Sequence, residues 1–138
     1  MLIASTKGRA VGDSQPQAPL RILVVDDDSL VRMGTVAMIE ELGHIVVAEA
    51  GGGAQALAVL READRIDLLL TDQAMPGMTG QQLAEAARLV RPGLPVLLAT
   101  GYAEQGAAGV KNLPRLPKPY GLDDLATALS AFVANGLP

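Results

Sequence analysis

Cysteine and tryptophan are both absent from this chain. Without cysteine, disulfides and thiolate metal sites are excluded, and a disulfide-stapled secreted domain is not expected. Aromatic residues make up only 2% of the sequence, so the core must be built from Leu, Val, Ile, Ala and Met. No apolar run approaches the roughly 20 residues that span a bilayer. The first segment carries Lys7, Arg9 and Asp13 and lacks the apolar centre of a signal peptide. Basic residues are outnumbered, 11 Lys and Arg against 15 Asp and Glu, for a net charge of −4. With no basic stripe and no interleaved aromatics, nucleic-acid binding is disfavoured. A cytoplasmic protein without membrane insertion is the expectation. His44 is the one histidine, and its place in a helix–strand turn reads as structural. The Gly51-Gly52-Gly53 run matches neither phosphate-cradling glycine pattern and reads as a flexible connection.

What is present is ordinary for a globular domain: 49% hydrophobic and 19% charged residues over a length of 138, enough for one core. Residues 1–19 hold Gly, Ser, Gln and Pro without periodicity and are expected to form a disordered arm, with one domain over 20–138. From there, strand and helix patterns alternate. Arg21–Val25 is a short apolar run suited to a strand buried on both faces. Ser29 is placed to cap a helix to about Leu42, with Leu30, Met33, Val36 or Ala37, and Leu42 facing inward. Gly43 ends it. Ile45–Ala48 reads as a second strand, and residues 54–62 as a second helix. Asp67–Thr71 reads as a third strand. Thr79 and Gln82 form a capping-box signature, with Leu83, Ala86, Ala87 and Val90 marking the helix face that follows. Val96–Ala99 reads as a fourth strand. Ala103–Gly109 is weakly helical, because Gly106 and Gly109 oppose it. Leu113–Leu116 reads as a short fifth strand and Leu122–Val133 as a well-patterned final helix. This (βα)5 order predicts an α/β fold: a doubly wound parallel five-stranded sheet with helices on both sides.

In such sheets, ligands bind beyond the carboxyl ends of the strands. Strand one ends in Asp26-Asp27-Asp28, strand three in Asp72, strand four in Thr100 and Gly101, and strand five is followed by Lys118-Pro119. Clustered carboxylates repel one another and call for a cation. An all-oxygen donor set favours a hard ion such as Mg²⁺, which shares its shell with waters and phosphate. Such an ion offsets repulsion between a carboxylate nucleophile and an anionic phosphoryl donor, while a hydroxyl and an ammonium hold the remaining phosphoryl oxygens.

Four blocks carry a resemblance: Leu23-Val24-Val25-Asp26-Asp27, Thr71-Asp72 with Met75-Pro76-Gly77-Met78-Thr79-Gly80, Ala99-Thr100-Gly101, and Lys118-Pro119-Tyr120. Together and in this order, over residues 20–135, they resemble the receiver domain of two-component response regulators, a flavodoxin-like fold. The resemblance implies that Asp72 accepts a phosphoryl group from a phosphohistidine on a sensor histidine kinase or a histidine phosphotransfer protein. It implies that Asp27 and Asp72 ligate Mg²⁺, with Mn²⁺ as a substitute. Asp26 would act through water, and the Ala74 backbone carbonyl would complete the protein ligands. Thr100 and Lys118 would contact the phosphoryl oxygens. Self-catalysed aspartyl phosphorylation and slow autodephosphorylation would be the only chemistry, and output would pass by protein contact.

Two positions depart from the family pattern. Arg115 stands where the family usually carries a switching Tyr or Phe, and Tyr102 is a candidate substitute ring. The Thr100-Gly101-Tyr102 run resembles a subset of receivers that are often stand-alone and alphaproteobacterial. The 100–118 segment is also shorter than usual for the family. Three other readings remain open from sequence. One is a haloacid-dehalogenase-like phosphatase using Asp26 and Asp28, although it leaves Asp72 unexplained. Another is a pseudo-receiver that only binds a partner. The third is the receiver fragment of a hybrid histidine kinase, against which the Met1 start weighs.

Overall fold

The computed structural model describes residues 19–101 and 113–136, with side chains described through Val133. The expected arm over residues 1–19 therefore lies outside the described residues except at Pro19, and so do Tyr102 and the expected Ala103–Gly109 helix. Five strands form one parallel sheet: β1 Arg21–Val25, β2 Ile45–Ala50, β3 Leu68–Asp72, β4 Val96–Thr100 and β5 Arg115–Pro117. The helices are α1 Ser29–Glu41, α2 Gly53–Glu62, α3 Gly80–Val90 and α4 Leu122–Gly136.

The strands are apolar on both faces because both faces are covered. Leu23, Val25, Leu69, Val96 and Leu98 pack into one layer with Ala56 and Leu60 of α2 and Leu83, Ala84 and Ala87 of α3. Ile22, Val24, Leu68, Leu70 and Leu97 point the other way, onto Ile39 of α1 and Leu125 and Leu129 of α4. The strand order is β2-β1-β3-β4-β5. After β1 the chain goes outward to β2 and then returns across β1 to β3. The switch in direction leaves a crevice between the carboxyl ends of β1 and β3. Asp26 follows β1 directly, and Asp72 is the last residue of β3.

Local details refine the sequence expectations. Asp28, not Ser29, caps α1: its Oδ1 accepts from the Leu30 and Val31 N–H groups at 3.0 and 3.2 Å. Thr35 and Ile39 are the buried residues of α1, and the expected Val36 and Leu42 pack partly buried against the same layer, while Leu30 and Met33 are 75% and 63% exposed. β2 runs on to Ala50, and β5 is Arg115–Pro117 rather than Leu113–Leu116. The capping box of α3 is complete, with Gln82 N–H on Thr79 Oγ1 and Thr79 N–H on Gln82 Oε1. Ala84 is buried on α3 where Ala86 was expected. Gly43, at φ +91°, supplies the left-handed residue that follows α1. No helix among the described residues is long and apolar enough to cross a membrane.

Candidate functional site

Backbone pairing builds the site. Asp26 N–H donates to Ala50 O at 3.1 Å, which extends the β1–β2 ladder by one residue. Asp72 pairs with Ala99 in the β3–β4 register, setting it beside the end of β4, where Thr100 lies. Lys118 N–H donates to Thr100 O at 2.8 Å, carrying the β4–β5 ladder up to the lysine.

Carboxylate oxygens of Asp26, Asp27 and Asp72 all lie within 4.8 Å of one another. Asp26 and Asp72 are buried, and Asp27 is exposed. Lys118 Nζ stands 3.1 Å from Asp72 Oδ1 and 3.4 Å from Asp26 Oδ2. Asp26 Oδ1 also accepts from the Asp28 N–H at 2.9 Å, so both oxygens of that carboxylate are engaged. Burial pushes the Asp72 carboxyl above its ordinary value, against the hydrogen bond and charge of Lys118, and the Asp26 charge adds to the rise. Burial works to lower Lys118, yet its hydrogen bond and charge pairing with Asp72, with Asp26 behind, hold the ammonium above its ordinary value. One ammonium against three carboxylates leaves excess negative charge. That is the condition under which a divalent cation binds.

Thr100 Oγ1 is buried and has no hydrogen-bond partner among the described residues. Such orphaned hydroxyls are uncommon and point to a group that arrives with a ligand. The donor set therefore fits a hard cation together with an oxyanion.

The structure thus brings together Asp26, Asp27, Asp72 and Lys118, with Thr100 at the neighbouring strand end. The Ala74 N–H bonds to Asp72 and helps hold its carboxyl down. Arg115 is exposed on β5 and lines a groove with Pro117, Pro119 and Asp124. Asp28 is occupied as a cap, which removes it from the acid cluster.

Sequence reasoning missed Arg32. Its Nη1 donates to Asp26 O at 2.6 Å and its Nε to Glu49 Oε1 at 3.2 Å, tying α1 and β2 to the acidic turn. A cation one turn into a helix that follows an acidic strand end was the available signal, but its partner on β2 appears only in three dimensions. Gly80 was also missed as a site residue. A Cβ there would lie 2.4 Å from Asp72 O and 2.5 Å from Leu98 Cδ1, so α3 starts directly against the Asp72 backbone.

The family model described as "Response regulator receiver domain" matches residues 22–130. The chain is 36% identical over 119 residues to "Sensor kinase CckA" of Brucella abortus, covering 81% of this chain but only 12% of that protein. It is 35% identical over 117 residues to "Response regulator receiver protein CpdR" of the same organism, covering 82% of this chain and 96% of that one. A solved response regulator receiver domain from Clostridium thermocellum superposes with a TM-score of 0.75 at 25% identity, covering 85% of this chain and 96% of that chain.

Proposed function

This chain belongs to the response regulator receiver family, and we propose that it takes a phosphoryl group onto the Asp72 carboxylate from a phosphohistidine. The donor is a sensor histidine kinase or a histidine phosphotransfer protein in the cytoplasm. An Asp72 oxygen attacks phosphorus, the P–N bond breaks, and the imidazole nitrogen departs with the bonding pair. Asp27, Asp72 and the Ala74 carbonyl would hold Mg²⁺, with Asp26 acting through water. The ion supplies charge neutralisation between nucleophile and donor. Lys118 holds a phosphoryl oxygen as a point charge, and the Thr100 hydroxyl donates to another. The exposed apolar side chains Leu30, Val31 and Met33 on α1, next to the acidic turn, suit a protein donor.

The observation that carries this reading is the buried Asp72 carboxylate, paired with Lys118 inside an acid cluster and set one strand end from a hydroxyl that lacks a partner among the described residues. The phosphatase reading needs Asp28 as an acid, and Asp28 is the α1 cap. Incubation with acetyl phosphate and Mg²⁺ tests the two. Aspartyl phosphate should form in the wild type and vanish in Asp72→Asn. Label that survives Asp72→Asn and disappears in Asp26→Asn would replace this reading with the phosphatase.

A further inference from the structure

We propose that Thr35 and Tyr120 form a hydroxyl strut that positions Lys118, so that both act as positioning residues for the Asp72 reaction. The inference rests on Asp72 as the acceptor.

Thr35 lies on the inward face of α1 and is 2% exposed. Its Oγ1 is 2.7 Å from the Tyr120 hydroxyl, a contact that spans 85 positions of sequence. Packing alone does not ask for a threonine there. Valine has the same shape and no polar atom to satisfy, and a buried hydroxyl is stable in a core only with a partner. The phenol ring of Tyr120 packs against the α1–α4 core layer, and its burial pushes the phenol above its ordinary value, so the hydroxyl stays protonated and available to bond.

Lys118 stands two residues before Tyr120. Its backbone is pinned on one side by its N–H on Thr100 O at 2.8 Å. Pro119 follows and has no N–H to give. The next anchor is the Tyr120 hydroxyl on α1, and at Gly121 the N–H turns to Asp124 Oδ2 at the onset of α4. The segment bearing the lysine is therefore fixed to β4 before it and to α1 after it. A lysine stem has four carbons and many rotamers, so the ammonium is held mainly by where its backbone sits. Its two contacts, at 3.1 Å to Asp72 and 3.4 Å to Asp26, leave little slack. Releasing the strut lets residues 118–120 move away from the acids and loosens both contacts. Because Thr35 shares α1 with exposed Leu30 and Val31, and these line a groove of about 310 Å³ with Lys118, Pro119 and Tyr120, a protein that settles on α1 would also bear on the strut.

The experiment uses the full chain. Tyr120→Phe and Thr35→Val keep shape and remove one hydroxyl each. Rates of Asp72 phosphorylation by acetyl phosphate with Mg²⁺, and beryllofluoride affinity, are measured in the wild-type and Lys118→Ala backgrounds. Each single change should slow phosphorylation by about 3- to 10-fold, the scale of a sub-ångström misplacement of a catalytic group. The loss should disappear when Lys118 is already Ala, and Thr35→Ser should restore the rate that Thr35→Val loses. Equal losses in both backgrounds would mean a general packing role and overturn the inference, as would unchanged rates in Tyr120→Phe. Label that persists in Asp72→Asn would instead overturn the acceptor assignment, and the strut inference with it.

Discussion

At the scale of single residues, Gly80 sets two effects against each other. Replacing a helical glycine with alanine usually gains about 1 kcal/mol. At Gly80 the new methyl would meet Asp72 O at 2.4 Å and Gln73 Cα at 3.0 Å, backbone atoms that cannot step aside. Overpacking of this kind costs about 1–3 kcal/mol. Gly80→Ala should therefore lower the urea midpoint and slow Asp72 phosphorylation together, and an unchanged midpoint would show that α3 can shift freely. His44 gives a pH dependence. Its Nδ1 accepts from the Leu20 N–H at 2.9 Å, which requires that nitrogen to be unprotonated, and burial lowers its pKa. The unfolded chain therefore takes up a proton near pH 6.5 that the folded chain resists. This contribution is complete above about pH 6.5 and is lost as pH falls through the lower folded value. In His44→Gln the stability-versus-pH curve should be flatter between about pH 7 and pH 5. An identical slope in both proteins would rule this contribution out.

At the scale of elements, α1 shows where sequence reading reached its limit. The sequence pattern puts Leu30, Met33, Val36 or Ala37, and Leu42 on the inward face. Val36 and Leu42 do pack against the core, but Leu30, Met33 and Ala37 are exposed, and the buried positions of the helix are Thr35 and Ile39. What decides it is Tyr120, far along the chain, which gives the Thr35 hydroxyl its partner. β5 was blurred for a different reason: a three-residue edge strand with a buried Leu116 between exposed neighbours carries almost no pattern. α3 was legible because its capping box is local, and β1, β3 and β4 because strands covered on both sides read as unbroken apolar runs. The acids and Lys118 were legible for the same reason, since strand ends located them, whereas Arg32 and Gly80 depend on contacts between elements. The outward side of α1 yields a prediction of its own. A Cβ at exposed Gly34 would meet nothing within 4 Å, so Gly34→Ala should stabilise the domain by about 1 kcal/mol. A thermal melt that moves downward would mean that α1 is bent at this point.

At the scale of the whole molecule, the acid cluster is a cost that the rest of the fold carries. Two buried carboxylates and a third beside them repel, with Lys118 as a partial counterweight. A cation bound only by the folded form adds RT ln(1 + [L]/Kd), about 1.4 kcal/mol at tenfold excess over Kd. Mg²⁺ should therefore raise the melting temperature by a few degrees, reversibly on chelation. Asp27→Asn should remove most of the rise, and a wild-type melt indifferent to Mg²⁺ would refute the metal assignment. The alternation along β1 has a consequence for how such a chain can change its length. Ile22 and Val24 serve the α1–α4 layer, and Leu23 and Val25 serve the α2–α3 layer. Deleting one of these residues would either exchange the layers for every residue before the gap or, if those kept their places, pull Asp26 out of line with Asp72. An extra residue is taken up instead on the edge strand β2, whose pairing with β1 skips Val47 between Ile22–Val46 and Leu23–Ala48, so the sheet absorbs a change of length there while the distance from β1 to its acids stays fixed by parity.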